Sequence, residues 1–144
     1  MKDNELGTSR ILNAPREKVF KAWTTKELIQ EWWGPDGFTN TFNDFDLRPG
    51  GQWNFVMHGP DGVDYKNKMV FLEIIAPSKI VVDHVTGPFF KAEVNFEEAS
   101  PTQTKYSFKM IFPTKEKCDE MRDFVAQPNE QNIDRLEAVL KKMD

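Results

Sequence analysis

The sequence predicts an α+β fold: a curved antiparallel sheet of six to seven strands, covered by one long C-terminal helix, with two short helices after the first strand. Three observations carry this. Between Phe38 and Phe112 apolar residues recur at every second position, in runs broken by short Gly/Pro turns, which is how consecutive hairpins read. From Thr114 onward the apolar spacing changes to three and four, a helical stripe. That last segment is also the only one long enough to cover a sheet face that must be shielded from water. A chain of 144 residues suits a single domain, 1–144, with a sizeable core.

Each element has its own signal. Residues 5–13, ELGTSRILN, form a weakly marked first strand. Ala14-Pro15 opens a helix, proline being tolerated in a first turn, and Val19, Phe20 and Trp23 make its buried stripe. Thr24-Thr25-Lys26-Glu27 reads as a capping box for a second helix with Leu28, Ile29 and Trp32, ended by Gly34-Pro35. Phe38, Asn40 and Phe42 begin the alternating region. Arg48-Pro49-Gly50-Gly51 turns the chain into the clearest strand, with Trp53, Phe55 and Met57 on one face. Gly59-Pro60-Asp61-Gly62 makes a hairpin loop into a strand that places Tyr65, Asn67, Met69 and Phe71 together. Val70, Leu72, Ile74, Val81 and Val85 then fall on the outer face. Strands follow at Lys79–Thr86 and Phe89–Glu98, and the last carries Tyr106, Phe108, Met110 and Phe112 on one face.

The final segment has Thr114 as N-cap and Glu116 in the first turn, where the helix dipole favours an anion. Its stripe is Cys118, Met121, Phe124, Val125, Ile133, Leu136, Leu140 and Met143. Pro128 removes one backbone hydrogen bond and is expected to kink or break the helix. From Lys115 to Lys142 the helix would reach about 42 Å at about 1.5 Å per residue.

Composition narrows the function. Net charge is −4 and the basic residues are scattered, so nucleic acid is not an expected partner. One cysteine excludes an internal disulfide and a four-cysteine zinc site. The polar start MKDNELGTSR shows no signal peptide, and no apolar run reaches the roughly 18 residues of a membrane span. A cytoplasmic location is the expectation. Nucleophile elbows, phosphate-binding loops, dinucleotide glycine patterns and zinc-ligand spacings are absent from the sequence, and no cofactor or metal is expected.

The run Asn13-Ala14-Pro15-Arg16-Glu17-Lys18-Val19-Phe20-Lys21-Ala22-Trp23-Thr24, the Glu31-Trp32-Trp33-Gly34-Pro35 motif and Asp46-Leu47-Arg48-Pro49-Gly50-Gly51-Gln52-Trp53 resemble the START-like (SRPBCC) superfamily. Within it they are similar to the group named after the C-terminal domain of the Hsp90 ATPase activator. Phe71-Leu72-Glu73-Ile74 before Pro77, and Asp134-Arg135-Leu136 near the end, fit the same pattern. The resemblance implies a helix-grip fold with a hydrophobic cavity between sheet and helix. It leaves function open among carriers of lipids and small molecules, cyclases, hormone receptors and co-chaperone domains.

The leading expectation is a non-catalytic protein that binds a small hydrophobic or aromatic molecule in that cavity. Its candidate contacts are Trp33, Trp53, Phe55, Tyr65, Met69, Phe71, His84, Phe108, Met110, Met121 and Phe124. A mostly apolar wall with a few polar groups, here Tyr65, Asn67 and Tyr106, suits ligand orientation. The enzyme alternative, a cyclase or hydrolase, needs an acid–base pair around His84. Asp83 falls on the opposite strand face from it, and Glu73 is the other carboxylate in range. A co-chaperone-like module, or a homodimer through the outer face or an edge strand, is the third reading. Asp44, Asp46 and Arg48 read as turn capping and a surface ion pair, Cys118 as a core residue and His58 as an exposed strand end.

Overall fold

The alternating segments form seven strands and the three-four periodic ones three helices, described over residues 2–143 of a computed structural model. In chain order these are β1 (Glu5–Leu12), α1 (Arg16–Thr24), α2 (Lys26–Trp32), β2 (Thr39–Phe45), β3 (Gln52–His58), β4 (Asp64–Ile75), β5 (Lys79–His84), β6 (Phe90–Ser100), β7 (Gln103–Ile111) and α3 (Lys115–Lys142). The strands make one antiparallel sheet in the order β1-β7-β6-β5-β4-β3-β2. β2 to β7 follow one another as hairpins, while α1 and α2 carry the chain from β1 at one edge to β2 at the other. The helix-grip expectation holds: α3 lies across the concave face and buries Cys118, Ile133, Leu136, Val139 and Leu140.

Local chemistry explains the joints. Thr114 caps α3 by accepting from the Lys117 backbone N–H at 3.1 Å. Gly51 is required by close approach: a Cβ there would stand 2.0 Å from the Asp46 carbonyl oxygen. Its turn is sewn to β4, with Gly50 N–H donating to Phe71 O and Phe71 N–H to Gly51 O.

Two expectations change and one open alternative narrows. The capping box at Thr24–Glu27 does not form: Thr25 is the N-cap of α2 but its side chain makes no cap bond, and the Thr24 hydroxyl donates to Phe20 O at the end of α1. With only one residue between the helices, the first threonine closes one helix before it can open the next. Pro128 lies inside an uninterrupted 28-residue helix. The donor it lacks is one bond in a helix held at many other points, so the helix is not split. Ile74 is not on the outer face. An irregularity between Phe71 and Glu73 shifts the register and turns Ile74 toward the core, opposite buried Ile80.

One end of the space between sheet and α3 is solid with aromatic rings. All four tryptophans meet there: Trp23 lies 5.6, 5.4 and 5.9 Å from Trp32, Trp33 and Trp53, and Trp33 lies 4.9 Å from Trp53. Trp53 also stacks on Phe71 at 5.9 Å with the rings 5° from parallel. Buried indole N–H groups need acceptors. Trp23 donates to the Tyr106 hydroxyl at 3.0 Å and Trp32 to Ala22 O at 3.1 Å. The Trp53 N–H is buried without a partner.

A cavity under the middle of the long helix

Beyond the tryptophan cluster the rings give way to a cavity of about 220 Å³. Strand parity decides its floor. β3 contributes Phe55 and Met57, β4 Asn67 and Met69, β5 His84, and β7 Phe108 and Met110. Trp33, Gly34 and Pro35 close it on the side of the cluster, and Pro88 and Phe90 on the opposite side. The roof is the middle of α3: Met121, Val125, Pro128, Asn129 and Asn132. No residue of α3 between Cys118 and Ile133 is fully buried, because the roof spans space where a core side chain would otherwise sit.

The segment from α2 to β2 is held against α3 chiefly by Arg135, with Asn132 and Gln131 beside it. Arg135 donates from Nη1 to the carbonyl oxygens of Trp33 (3.2 Å), Gly34 (2.9 Å) and Pro35 (2.9 Å), and from Nη2 to those of Glu31 (2.8 Å) and Phe38 (3.0 Å). Five acceptors with no helix or sheet partner are gathered by a planar donor fork. Asn132 Oδ1 accepts from Gly34 N–H at 3.0 Å. Gly34 has φ +96°, a bend that favours glycine, and a Cβ on it would displace the flexible Met57 Cε, 2.7 Å away. At the far edge, Arg10 of β1 pairs with Glu130, Asp134 and Glu137 of α3.

His84 is buried and is the cavity's only titratable side chain among the described residues. Its Nδ1 is 2.7 Å from Pro88 O and its Nε2 2.8 Å from Asn67 Oδ1, and its ring stacks on Phe90 at 4.7 Å. Burial pushes its pKa below the usual histidine range, against the carbonyls of Pro88 and Thr86 and the charge of Asp83. Neither carboxylate considered as its partner reaches it: Asp83 is on the other face of β5, and Glu73 pairs with Lys79 at 3.5 Å.

Of the residues singled out in the sequence, Trp33, Phe55, Met69, His84, Phe108, Met110 and Met121 meet at the cavity. Four do not. Trp53 and Phe71 point inward but into the aromatic cluster, where both are fully buried. Tyr65 lies at the hairpin end of β4; its ring packs on Phe38 at 6.0 Å and stays 45% exposed. Phe124 is 73% exposed, since at about 100° per residue it stands roughly 80° round the helix from the middle of the roof arc. Tyr106 is core rather than cavity, its hydroxyl taken by Trp23 and its pKa raised by burial. Sequence reading missed Met57, although parity with Phe55 marks it, and it missed Asn129 and Asn132, whose helical phase with Val125 and Leu136 was the available signal. Asp46 and Arg48 form a surface pair at 2.8 Å and Asp44 accepts from Asn54. Among the described residues no group of three or more His, Cys, Asp or Glu side chains is placed to hold a metal ion.

A family model described as activator of Hsp90 ATPase homolog 1-like protein matches residues 13–141. The chain belongs to that family. The activator-homolog match runs from the end of β1 through nearly all of α3 and so includes every wall of the cavity. No curated protein matches the chain. Solved structures share its fold. A protein from Nitrosomonas europaea is 23% identical with a TM-score of 0.90, over 99% of this chain and 97% of that one. One from Arthrobacter aurescens is 21% identical at 0.89, over 98% and 88%, and one from Staphylococcus epidermidis 25% identical at 0.84, over 100% and 94%. Among the described residues no helix is long and apolar enough to cross a membrane.

Proposed function

We propose that this protein, read as one START-like domain over residues 1–144, is a non-catalytic binder of a small hydrophobic or aromatic molecule. The reading rests on one observation: a cavity of about 220 Å³ between the sheet and α3, walled by Trp33, Phe55, Phe108 and four methionines. An apolar cavity of about 150 Å³ already holds benzene, and methionine side chains adapt to varied shapes. Among the described residues no carboxylate lines the cavity, so the acid–base pair that the enzyme alternative needs is not supplied by those walls. The buried, unpaired Cys118 suits the reducing cytoplasm.

Thermal unfolding in the presence of flat aromatic and lipid-like compounds tests this. A ligand held at 100 times its Kd adds about 2.7 kcal/mol of stability. The shift is expected to vanish in Met69→Trp, which fills the cavity from β4. If no compound shifts the unfolding temperature, weight passes to the co-chaperone-like reading. Exposed Leu72 and Ile75 on β4 then become the surface to probe with a protein partner.

A further inference from the structure

The polar groups around the cavity have hydrogens to give and few acceptors to receive them. Four polar side chains line it, Asn67, His84, Asn129 and Asn132. Asn132 uses its oxygen on Gly34 N–H, which leaves its amide N–H groups turned away from that bond. Asn129 directs its amide at Met110 Sδ, 3.4 Å away, and a thioether is a weak acceptor.

His84 is more constrained. Both of its nitrogens face oxygens, Pro88 O on one side and Asn67 Oδ1 on the other. Turning the Asn67 amide over would relieve this only at a cost. Its Nδ2 donates to Tyr65 O at 3.0 Å, and a flip would set two oxygens face to face. A neutral imidazole has one N–H, so one of its nitrogens must present a lone pair to an acceptor. The imidazolium, a donor at both nitrogens, satisfies both neighbours.

Burial opposes that protonation, and among the described residues none packed on the ring supplies a counter-charge. Phe90 covers one face. β4 presents Asn67 and Met69, and α3 presents Met121, Asn129 and Asn132, all neutral. Asp83 is on the far side of the sheet. The ring's bonding is arranged for a cation in a cavity that withholds the anion.

We propose that the cavity takes an apolar monocarboxylate, its hydrocarbon body among the methionines and Trp33, its carboxylate at the His84 end, with one proton taken up by the imidazole on binding. The carboxylate accepts the Nε2–H bond in place of the Asn67 amide oxygen, exchanging a neutral acceptor for a charged one. The Phe90 face backs the cation. This deepens the small-ligand reading and rests on it.

Isothermal titration of the full chain with 2-naphthoate and octanoate, each beside its primary amide, tests the inference between pH 6 and pH 8. The acids stay ionised over that range, so their own titration does not interfere. The Kd of each carboxylate is expected to rise by about tenfold per pH unit where one proton is taken up, while that of the amide stays flat. Repeating the titration in buffers of different ionisation enthalpy counts the proton directly. Nitrogen NMR of the bound state should show both His84 ring nitrogens protonated. His84→Gln should bind acid and amide alike with no pH dependence; if it misfolds, the wild-type comparison decides. Amide binding equal to acid at every pH, or a neutral His84 in the bound state, overturns the inference and leaves the cavity reading standing. Binding of neither acid nor amide removes both.

Discussion

The two halves of α3 share one backbone and do different work. From Ile133 onward the helix sinks Ile133, Leu136, Val139 and Leu140 into the core beside the tryptophan cluster. Before it, only Cys118 is fully buried, and the helix bridges a cavity with methionine, valine, proline and asparagine. The first half is located instead by the Thr114 cap at its start and by the Arg10 and Arg135 clamps from Glu130 onward. Stability and an open interior are thereby separated along a single element. A domain that must keep a hole can place its apolar burial at one end and leave the other to adaptable side chains.

The largest effect that breaks this comparison is Leu136→Ala, expected to lower unfolding stability by about 3 kcal/mol, as fully buried leucines do. Val125→Ala, on the roof, should cost less than about 1 kcal/mol because the space beside it is already empty. Urea unfolding of both variants measures the contrast, and equal losses would abolish the distinction between the halves. Next is Arg135→Leu, which removes a donor from five carbonyl oxygens; Trp33 O keeps Asn40 Nδ2 and Pro35 O keeps Phe38 N–H, while those of Glu31, Gly34 and Phe38 lose their bond. At about 2 kcal/mol for losing bonds to a charged donor, it should also speed amide exchange at Gly34 and Phe38.

Smaller is the pH effect at His84 in the unliganded protein. Its folded pKa is lowered, so the unfolded chain binds the proton more readily. Stability should therefore fall as pH drops through about 6.5, with a slope no steeper than about 1.4 kcal/mol per pH unit. His84→Asn should remove that component from acid unfolding curves, and a saturating carboxylate should reverse its sign. Least of all, Phe124→Ser should stay within about 0.5 kcal/mol of wild type in urea unfolding, because its ring is exposed. A larger loss would show that the roof face extends further round α3 than its buried residues indicate.

Much of the fold was readable because its signals are local. Period-two runs between Gly/Pro turns define β2 to β7, and the cap, stripe and length define α3. The division of inward residues between cluster and cavity was not readable. Trp53 and Phe55 have the same strand parity and adjacent inward positions, yet one is sealed among rings and the other walls the cavity. The difference arises from where α1, α2 and Trp33 fill the space, which no single strand encodes. Asn129 and Asn132 escaped notice for a related reason. A polar residue on a helix's inner stripe reads as a gap in the pattern, and it becomes meaningful only when a cavity lies beneath it. Ile74 and Phe124 show the limits of counting, the first undone by an extra residue in β4 and the second by a helical stripe narrower than its apolar residues suggest.

The sheet's order has a consequence for synthesis. β1 pairs with β7 in a register that sets Leu12 opposite Thr104 and Glu5 opposite Ile111. The first strand of this sheet to be made must therefore wait for the last, an interval of about 5–20 s at ordinary elongation rates. During that time β1 is an unpaired edge with two chances to go wrong: joining another nascent chain or pairing with the wrong strand. Its sequence is suited to waiting. Thr8, Ser9 and Arg10 interrupt its few apolar residues, and the arginine that later reaches three carboxylates of α3 keeps the strand charged until that helix exists.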